Sequence, residues 1–203
     1  MDKAALRSDV RARRQARSAS QRAADAQAIA ARAVAFLPDE PGDITCFVSL
    51  PDEPGTSPLI TALLERGHRL WLPQTRPDGL LWVRVDASTE YDVGALGISE
   101  PRGTGVESLA FAHVILMPAL AVDASGRRLG QGGGYYDKAL DQVPGLEDGG
   151  PMLVAIVHDD EVVDEVPTEP HDRVVDALVT PLRTLRTGRV GRSASNRGRT
   201  PGP

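Results

Sequence analysis

The chain has one cysteine, two lysines and no apolar run longer than nine residues. Cys46 alone cannot close an intramolecular disulfide, so nothing marks an oxidising compartment. The longest apolar run, Val114–Val122, contains Pro118 and falls far short of the about 20 residues that a membrane-spanning helix needs. The first residues carry Lys3, Arg7, Arg11, Arg13 and Arg14 with no apolar stretch behind them. No secretory signal is therefore expected, and a cytoplasmic globular protein is the default. Lys3 and Lys138 are both misplaced for a GxxxxGKS/T phosphate loop. The histidines His68, His113, His158 and His171 stand far apart, without HxH or HxxxH spacing, and CxxC is missing too, which argues against zinc. There is no GxSxG elbow, and Cys46 falls in an expected buried strand, so covalent catalysis has no evident nucleophile.

What is present is unevenly distributed. The 203 residues carry 23 basic and 28 acidic side chains, a net charge of −5. Residues 1–32 sum to +5, residues 183–203 to +6, and the body between them to −16. The length fits one domain with an extension. Residues 1–37 read as two helices: Leu6 and Val10 share one face, while Lys3, Arg7, Arg11 and Arg14 follow each other on another. Ser20 is the expected cap of the second helix and Pro38 its stop. Strands are expected at Ile44–Ser49, Arg69–Leu72, Leu80–Val85, Val114–Met117, Leu153–Val157 and Ala177–Val179. Between the first two lies a helix capped by Ser57, with Pro58 at its first position and Gly67 at its end. Continuous apolar strands alternating with helices imply an α/β fold, a single-domain three-layer α/β/α sandwich around a largely parallel sheet. Residues 1–182 are its expected extent, and the Arg/Gly/Ser-rich 183–203 a tail, disordered from about 187 and without nucleic-acid specificity.

The segment richest in chemistry runs from the strand at Val114 through Gly126-Arg127-Arg128-Leu129-Gly130-Gln131-Gly132-Gly133-Gly134-Tyr135-Tyr136-Asp137 into a helix. Four glycines in five positions let several backbone N–H groups approach one anion, and the following helix adds its positive end. Arg127 and Arg128 bring cations, and Asp137 an oxygen ligand for Mg²⁺, so the loop suits a polyphosphate. A dinucleotide fingerprint fails, because GxGxxG counted from Gly130 meets Tyr135 where the last glycine belongs.

Pro118-Ala119-Leu120-Ala121-Val122-Asp123 followed by Arg128-Leu129-Gly130-Gln131-Gly132-Gly133-Gly134-Tyr135-Tyr136-Asp137 resembles the signature of 5-formyltetrahydrofolate cyclo-ligases (5,10-methenyltetrahydrofolate synthetases). Lys3-Ala4-Ala5-Leu6-Arg7 is similar to that family's N-terminal KxxLR, and Phe47–Glu53 to its aromatic-x-S-x-x-x-E segment. Gly97-Ile98-Ser99-Glu100-Pro101 matches its GIxEP, and Pro167–Asp172 its P-x-E-x-H-D. The resemblance implies ATP- and Mg²⁺-dependent conversion of 5-formyltetrahydrofolate to the 5,10-methenyl product by phosphorylation of the formyl oxygen and attack by N10. It implies ATP contacts from Lys3, Ala4, Ala5, Leu6, Arg7 and the loop Arg128, Leu129, Gly130, Gln131, Gly132, Gly133, Gly134, Tyr135 and Tyr136. Substrate contacts fall to Val48, Glu53 and Gln131–Tyr135, Mg²⁺ to Asp137 and Asp172, and catalysis to Arg128, Tyr135 and Asp137. A cytoplasmic monomer without a membrane or nucleic-acid partner is expected.

Plainer readings stand beside these. Lys3 and Arg7 also fit a solvated helix face, Glu53 a loop acid and Asp172 a turn cap, and one of the two tyrosines is expected in the core. Arg127 is expected to be exposed, and Arg11 and Arg14 match no family site. The family's aromatic-x-x-Gln after the strand at Leu153 is here His158-Asp159-Asp160-Glu161, and Lys138 stands where arginine is frequent. The alternatives are an ATP-dependent enzyme on another reduced folate or pterin, or a non-catalytic nucleotide- or RNA-binding module.

Overall fold

The computed structural model describes residues 2–94, 97–169 and 172–188. Helices α1 (Lys3–Ala16) and α2 (Ala19–Phe36) lead into β1 (Asp43–Thr45), α3 (Ser57–Glu65), β2 (Arg69–Arg76) and β3 (Gly79–Val85). Short strands β4 (Tyr91–Val93), β5 (Ser99–Pro101) and β6 (Gly105–Val106) follow. Then come β7 (Val114–Pro118), β8 (Ala121–Asp123), β9 (Arg128–Leu129) and α4 (Tyr135–Leu140). The chain closes with β10 (Met152–Ile156), β11 (Val162–Val163), β12 (Ala177–Val179) and β13 (Thr184–Arg186).

Eight strands form the central sheet in the order β13-β12-β10-β7-β1-β2-β3-β6. Its middle five, β12 to β2, are mutually parallel, while the outer pairs are antiparallel. The central strands are apolar on both faces because both are covered. Val114 and Leu116 of β7 point into one cluster with Ile29, Ala33 and Leu63 from α2 and α3. Ile115 and Met117 point into the other, with Trp82, Leu140 and Leu178. This is the expected α/β/α arrangement, with one thin layer: α4 has only six residues.

Helix boundaries differ from the sequence reading for identifiable reasons. The cap of α2 is Ser18, not Ser20, because Ser18 and Gln21 satisfy each other's backbone N–H reciprocally. Ala23 lies three residues after Ser20 and has no group to return the bond. The cap of α3 is Thr56, with Ser57 already helical. Thr56 Oγ1 is engaged elsewhere, donating to Phe47 O (2.6 Å) and accepting from Ser49 N (3.1 Å), so it ties the helix start to the loop after β1. The folded unit also runs past the expected edge at 182, since β13 pairs with β12. Of the expected disordered tail, residues 189–203 lie outside the described residues.

The largest correction concerns α1. Its buried row is Leu6, Val10 and Arg14, at successive spacings of four, so Arg14 leaves the basic face for the core. Arg14 Nε and Nη2 donate to the two oxygens of Glu161 at 2.7 and 2.9 Å, with both side chains at most 2% exposed. Arg14 Nη2 also donates to Ala119 O at 2.7 Å, and Glu161 Oε2 accepts His158 N at 2.9 Å. Glu161, the departure from the family's Gln, is thus matched by an arginine 147 residues away. Alongside, α1 packs Leu6 and Val10 on Leu120, Ala121, Leu129 and Val166, over the small β11-β8-β9 sheet.

His158 sits beside this pair, 1% exposed, with Nδ1 3.1 Å from Asp25 Oδ2. Neither ring nitrogen finds a well-aligned hydrogen bond among the described residues. Burial pushes its pKa down to about 4, helped by Arg17 and Arg14 and opposed by Asp25 and Asp160. Between pH 6.5 and about 4 the unfolded chain therefore takes up a proton here that the fold refuses, and stability falls as the pH drops through that window. Urea unfolding of His158→Phe is expected to lose less stability than wild type across it. Parallel curves would contradict this.

Candidate functional site

At the carboxyl ends of the parallel strands, where open α/β sheets bind ligands, lies a cavity of about 640 Å³. Each wall comes from a different element. Lys3 and Arg7 project from α1, Phe47, Val48, Leu50 and Glu53 from the loop after β1, and Pro118 from the end of β7. Pro73, Thr75 and Leu80 come from the β2–β3 hairpin, Ile98 from the segment before β5, and Glu169 and Asp172 from the chain after β11. The floor is the continuous run Arg128–Asp137.

The glycine run makes this floor possible. Gly132 and Gly134 have φ of +104° and +68°, values that side-chain-bearing residues rarely adopt. Arg7 Nε donates to Gly130 O at 3.0 Å, pinning the loop to α1. Upstream, Asp123 Oδ1 accepts from Ser125 Oγ and from the N–H groups of Ser125 and Arg127, and Oδ2 from Val166 N. Burial raises the Asp123 pKa, but these bonds outweigh it and hold the carboxyl below its usual range. The ionised turn aims Arg128 into the site while Arg127 points out to Glu165.

Cations and carboxylates are already paired. Lys3 Nζ lies 3.0 Å from Asp172 Oδ2 and 3.3 Å from Glu169 Oε1, and the Asp172 hydrogen bond is the largest influence raising the lysine pKa. The buried Arg128 guanidinium donates to Asp137 and to the carbonyl of Arg173. At the other end Gln131 Nε2 donates to Glu53 Oε1 at 3.0 Å, while Leu50 N donates to Glu53 Oε2 at 2.9 Å. Tyr136 stacks edge-on against Trp82, as expected for one of the two tyrosines, with its hydroxyl buried and unpartnered among the described residues. Burial carries its pKa well above the ordinary phenol value. Cys46 is fully buried with its thiol pushed up to about 12, which removes it as a nucleophile.

Lys3, Arg7, Val48, Glu53, the whole run Arg128–Tyr136, Asp137 and Asp172 therefore line one cavity. Ala4, Ala5 and Leu6 do not line it: the alanines face solvent and Leu6 is core. Among the described residues no three His, Cys, Asp or Glu side chains form a ready-made metal cluster. Nor does any helix there have the length and apolarity to cross a membrane.

Known proteins share both sequence and shape. The model of the 5-formyltetrahydrofolate cyclo-ligase family matches residues 1–181. The chain belongs to that family. It is 37% identical over 150 residues to a 5-formyltetrahydrofolate cyclo-ligase of Mycolicibacterium smegmatis, covering 70% of this chain and 75% of that one. The Escherichia coli K12 protein of the same name is 32% identical over 180 residues, 86% and 97% of the two chains. The solved Aquifex aeolicus 5,10-methenyltetrahydrofolate synthetase superposes with a TM-score of 0.79 at 28% identity, over 97% of this chain and 98% of that one.

Within this cyclo-ligase fold the cavity also holds residues that sequence reasoning passed over. Glu169 and Ile98 sit inside two of the quoted motifs, which was the available signal. Thr75 and Leu80 come from a hairpin with no motif, and nothing local marks them. The tyrosine hydroxyl yields a direct test. Because Tyr136 loses no hydrogen bond on conversion to phenylalanine, Tyr136→Phe is expected to stay within about 0.5 kcal/mol of wild type in urea unfolding. A larger loss would reveal a structural partner.

Proposed function

We propose that the chain converts 5-formyltetrahydrofolate to 5,10-methenyltetrahydrofolate, consuming ATP with Mg²⁺, as a cytoplasmic monomer. The observation that carries this reading is that the glycine loop, two cations of α1 and the Glu53–Gln131 pair wall one cavity. A polyphosphate and a ring bearing adjacent N–H groups thus meet within it. Phosphoryl transfer requires positioning and charge neutralisation rather than a protein nucleophile, in keeping with the inert Cys46.

The residues divide the work by position. Lys3, Arg7 and Arg128, with the loop N–H groups, take the phosphate oxygens. The Glu53 carboxylate, restrained by Leu50 N and Gln131, accepts paired N–H groups of the pterin edge. Phe47, Leu50, Leu80 and Ile98 supply apolar walls that exclude water from the reacting formyl group. Formyl oxygen attacks the γ-phosphorus and ADP leaves; N10 then attacks the activated carbon and gives up its proton, and the phosphate leaves with the formyl oxygen and that proton to complete the methenyl bridge.

Asp137 and Asp172 offer the hard oxygen donors that Mg²⁺ prefers, in a number that leaves room for phosphate and water ligands, so the donor set fits. When bound, the ion neutralises charge developing between the phosphates. Both carboxylates are held by protein cations here, so binding MgATP involves an exchange: Lys3 and Arg128 turn to phosphate, releasing Asp172 and Asp137.

The basic helix is largely consumed by these and other contacts. Arg13 and Arg17 pair with Asp160, and Arg14 is buried, which disfavours a polyanion-binding surface there. Purified protein given 5-formyltetrahydrofolate and MgATP is expected to form the methenyl chromophore and ADP in equal amounts; folded protein that forms neither would overturn the reading. Asp137→Asn is expected to raise the Mg²⁺ concentration for half-maximal turnover by about tenfold or more. An unchanged Mg²⁺ titration would remove Asp137 from the ligand set.

A further inference from the structure

Arg11 stands one helical turn beyond Arg7 on α1, does not line the cavity, and corresponds to none of the motif positions. It is nevertheless tied to the substrate end. Its Nη2 donates to Gln131 O at 3.0 Å and to Gln131 Oε1 at 3.2 Å. The same amide donates through Nε2 to Glu53 Oε1 at 3.0 Å. We propose that Arg11 is a positioning residue for the reduced-folate ring, acting through Gln131 on Glu53. The inference rests on the reading of the cavity as a folate and MgATP site.

Donors and acceptors fix the orientation of the Gln131 amide. A guanidinium has only donors and an ionised carboxylate only acceptors. An amide between them can therefore lie one way round, with its oxygen toward Arg11 and its nitrogen toward Glu53. Either partner alone leaves Gln131 free to swing on three rotatable bonds; both together hold it, and the bond to Gln131 O holds the loop backbone beneath it. Glu53, fixed by Gln131 on one oxygen and by Leu50 N on the other, then presents its remaining lone pairs in one plane. That suits a flat ring edge with neighbouring N–H groups and penalises a ligand that offers an acceptor there. A single helix consequently serves both ligands: Lys3 and Arg7 face the phosphate end, and Arg11 sets the ring end.

Because Arg11 is exposed, Arg11→Met should fold normally, which unfolding in urea verifies. Its KM for 5-formyltetrahydrofolate is expected to rise about tenfold, the effect of losing one charge-assisted hydrogen bond, with kcat and the KM for ATP near wild type. Arg11→Lys, which keeps a charged donor group, should recover part of the loss. In a Gln131→Ala background Arg11→Met should have a much smaller effect, because the side-chain relay is already broken and only the bond to Gln131 O is left to lose. An equal effect in both backgrounds, or a rise in the KM for ATP matching that for folate, would overturn the proposal. Calorimetry with 5-formyltetrahydrofolate alone separates the two levels. If wild type and Arg11→Met bind it equally, the relay is wrong; if wild type does not bind it, the folate reading itself is wrong.

Discussion

The Arg14–Glu161 ion pair is the interaction on which the rest of the structure depends. Two charges leave water completely here, at a desolvation cost that attraction repays only with good geometry and full hydrogen bonding. The pair is two-pronged, and Arg14 Nη2 and Glu161 Oε2 each carry one further bond, to Ala119 O and from His158 N. Its position explains its consequence. Ala119 follows β7 and Glu161 follows β10, so the pair clamps α1 across the carboxyl ends of two neighbouring parallel strands. From there the helix carries Lys3, Arg7 and Arg11 along one side of the cavity.

With α1 docked, the site becomes an arrangement of opposite charges held in check. Lys3 with Asp172 and Glu169, and Arg128 with Asp137, neutralise one another at the proposed nucleotide end. Glu53, Gln131 and Arg11 form a second chain at the proposed folate end. The glycine loop lies between them and touches both, through Arg7 on Gly130 and Arg11 on Gln131. A loop with so few side chains has little packing of its own to hold its shape, so side chains from α1 supply that order.

The sandwich was legible because β7, β10 and β12 are continuously apolar, and only a sheet covered on both faces calls for that. Boundaries were less so: β1 spans three residues where six were expected, because regular pairing ends at Thr45 and the residues after it, Phe47 and Val48, line the cavity instead. The glycine loop, Lys3, Arg7, Glu53 and Asp172 were readable through motifs, and all line one cavity. Arg14 was misassigned since spacings of four and three describe a helix face equally well, and an arginine is the less expected member of a buried row. Its partner was in view as the odd carboxylate Glu161, yet nothing in a linear reading joins positions 14 and 161. Arg11 escaped for the opposite reason: it reaches the site through another side chain.

Hydrogen exchange of wild type and Arg14→Met, compared amide by amide, tests most directly whether this pair docks the helix. The account predicts that Arg14→Met loses protection throughout α1, and in the Gly130–Gly134 loop it holds, while β7 and β10 keep theirs. Protection of α1 unchanged from wild type, or a loss spread evenly over the central sheet, would contradict it.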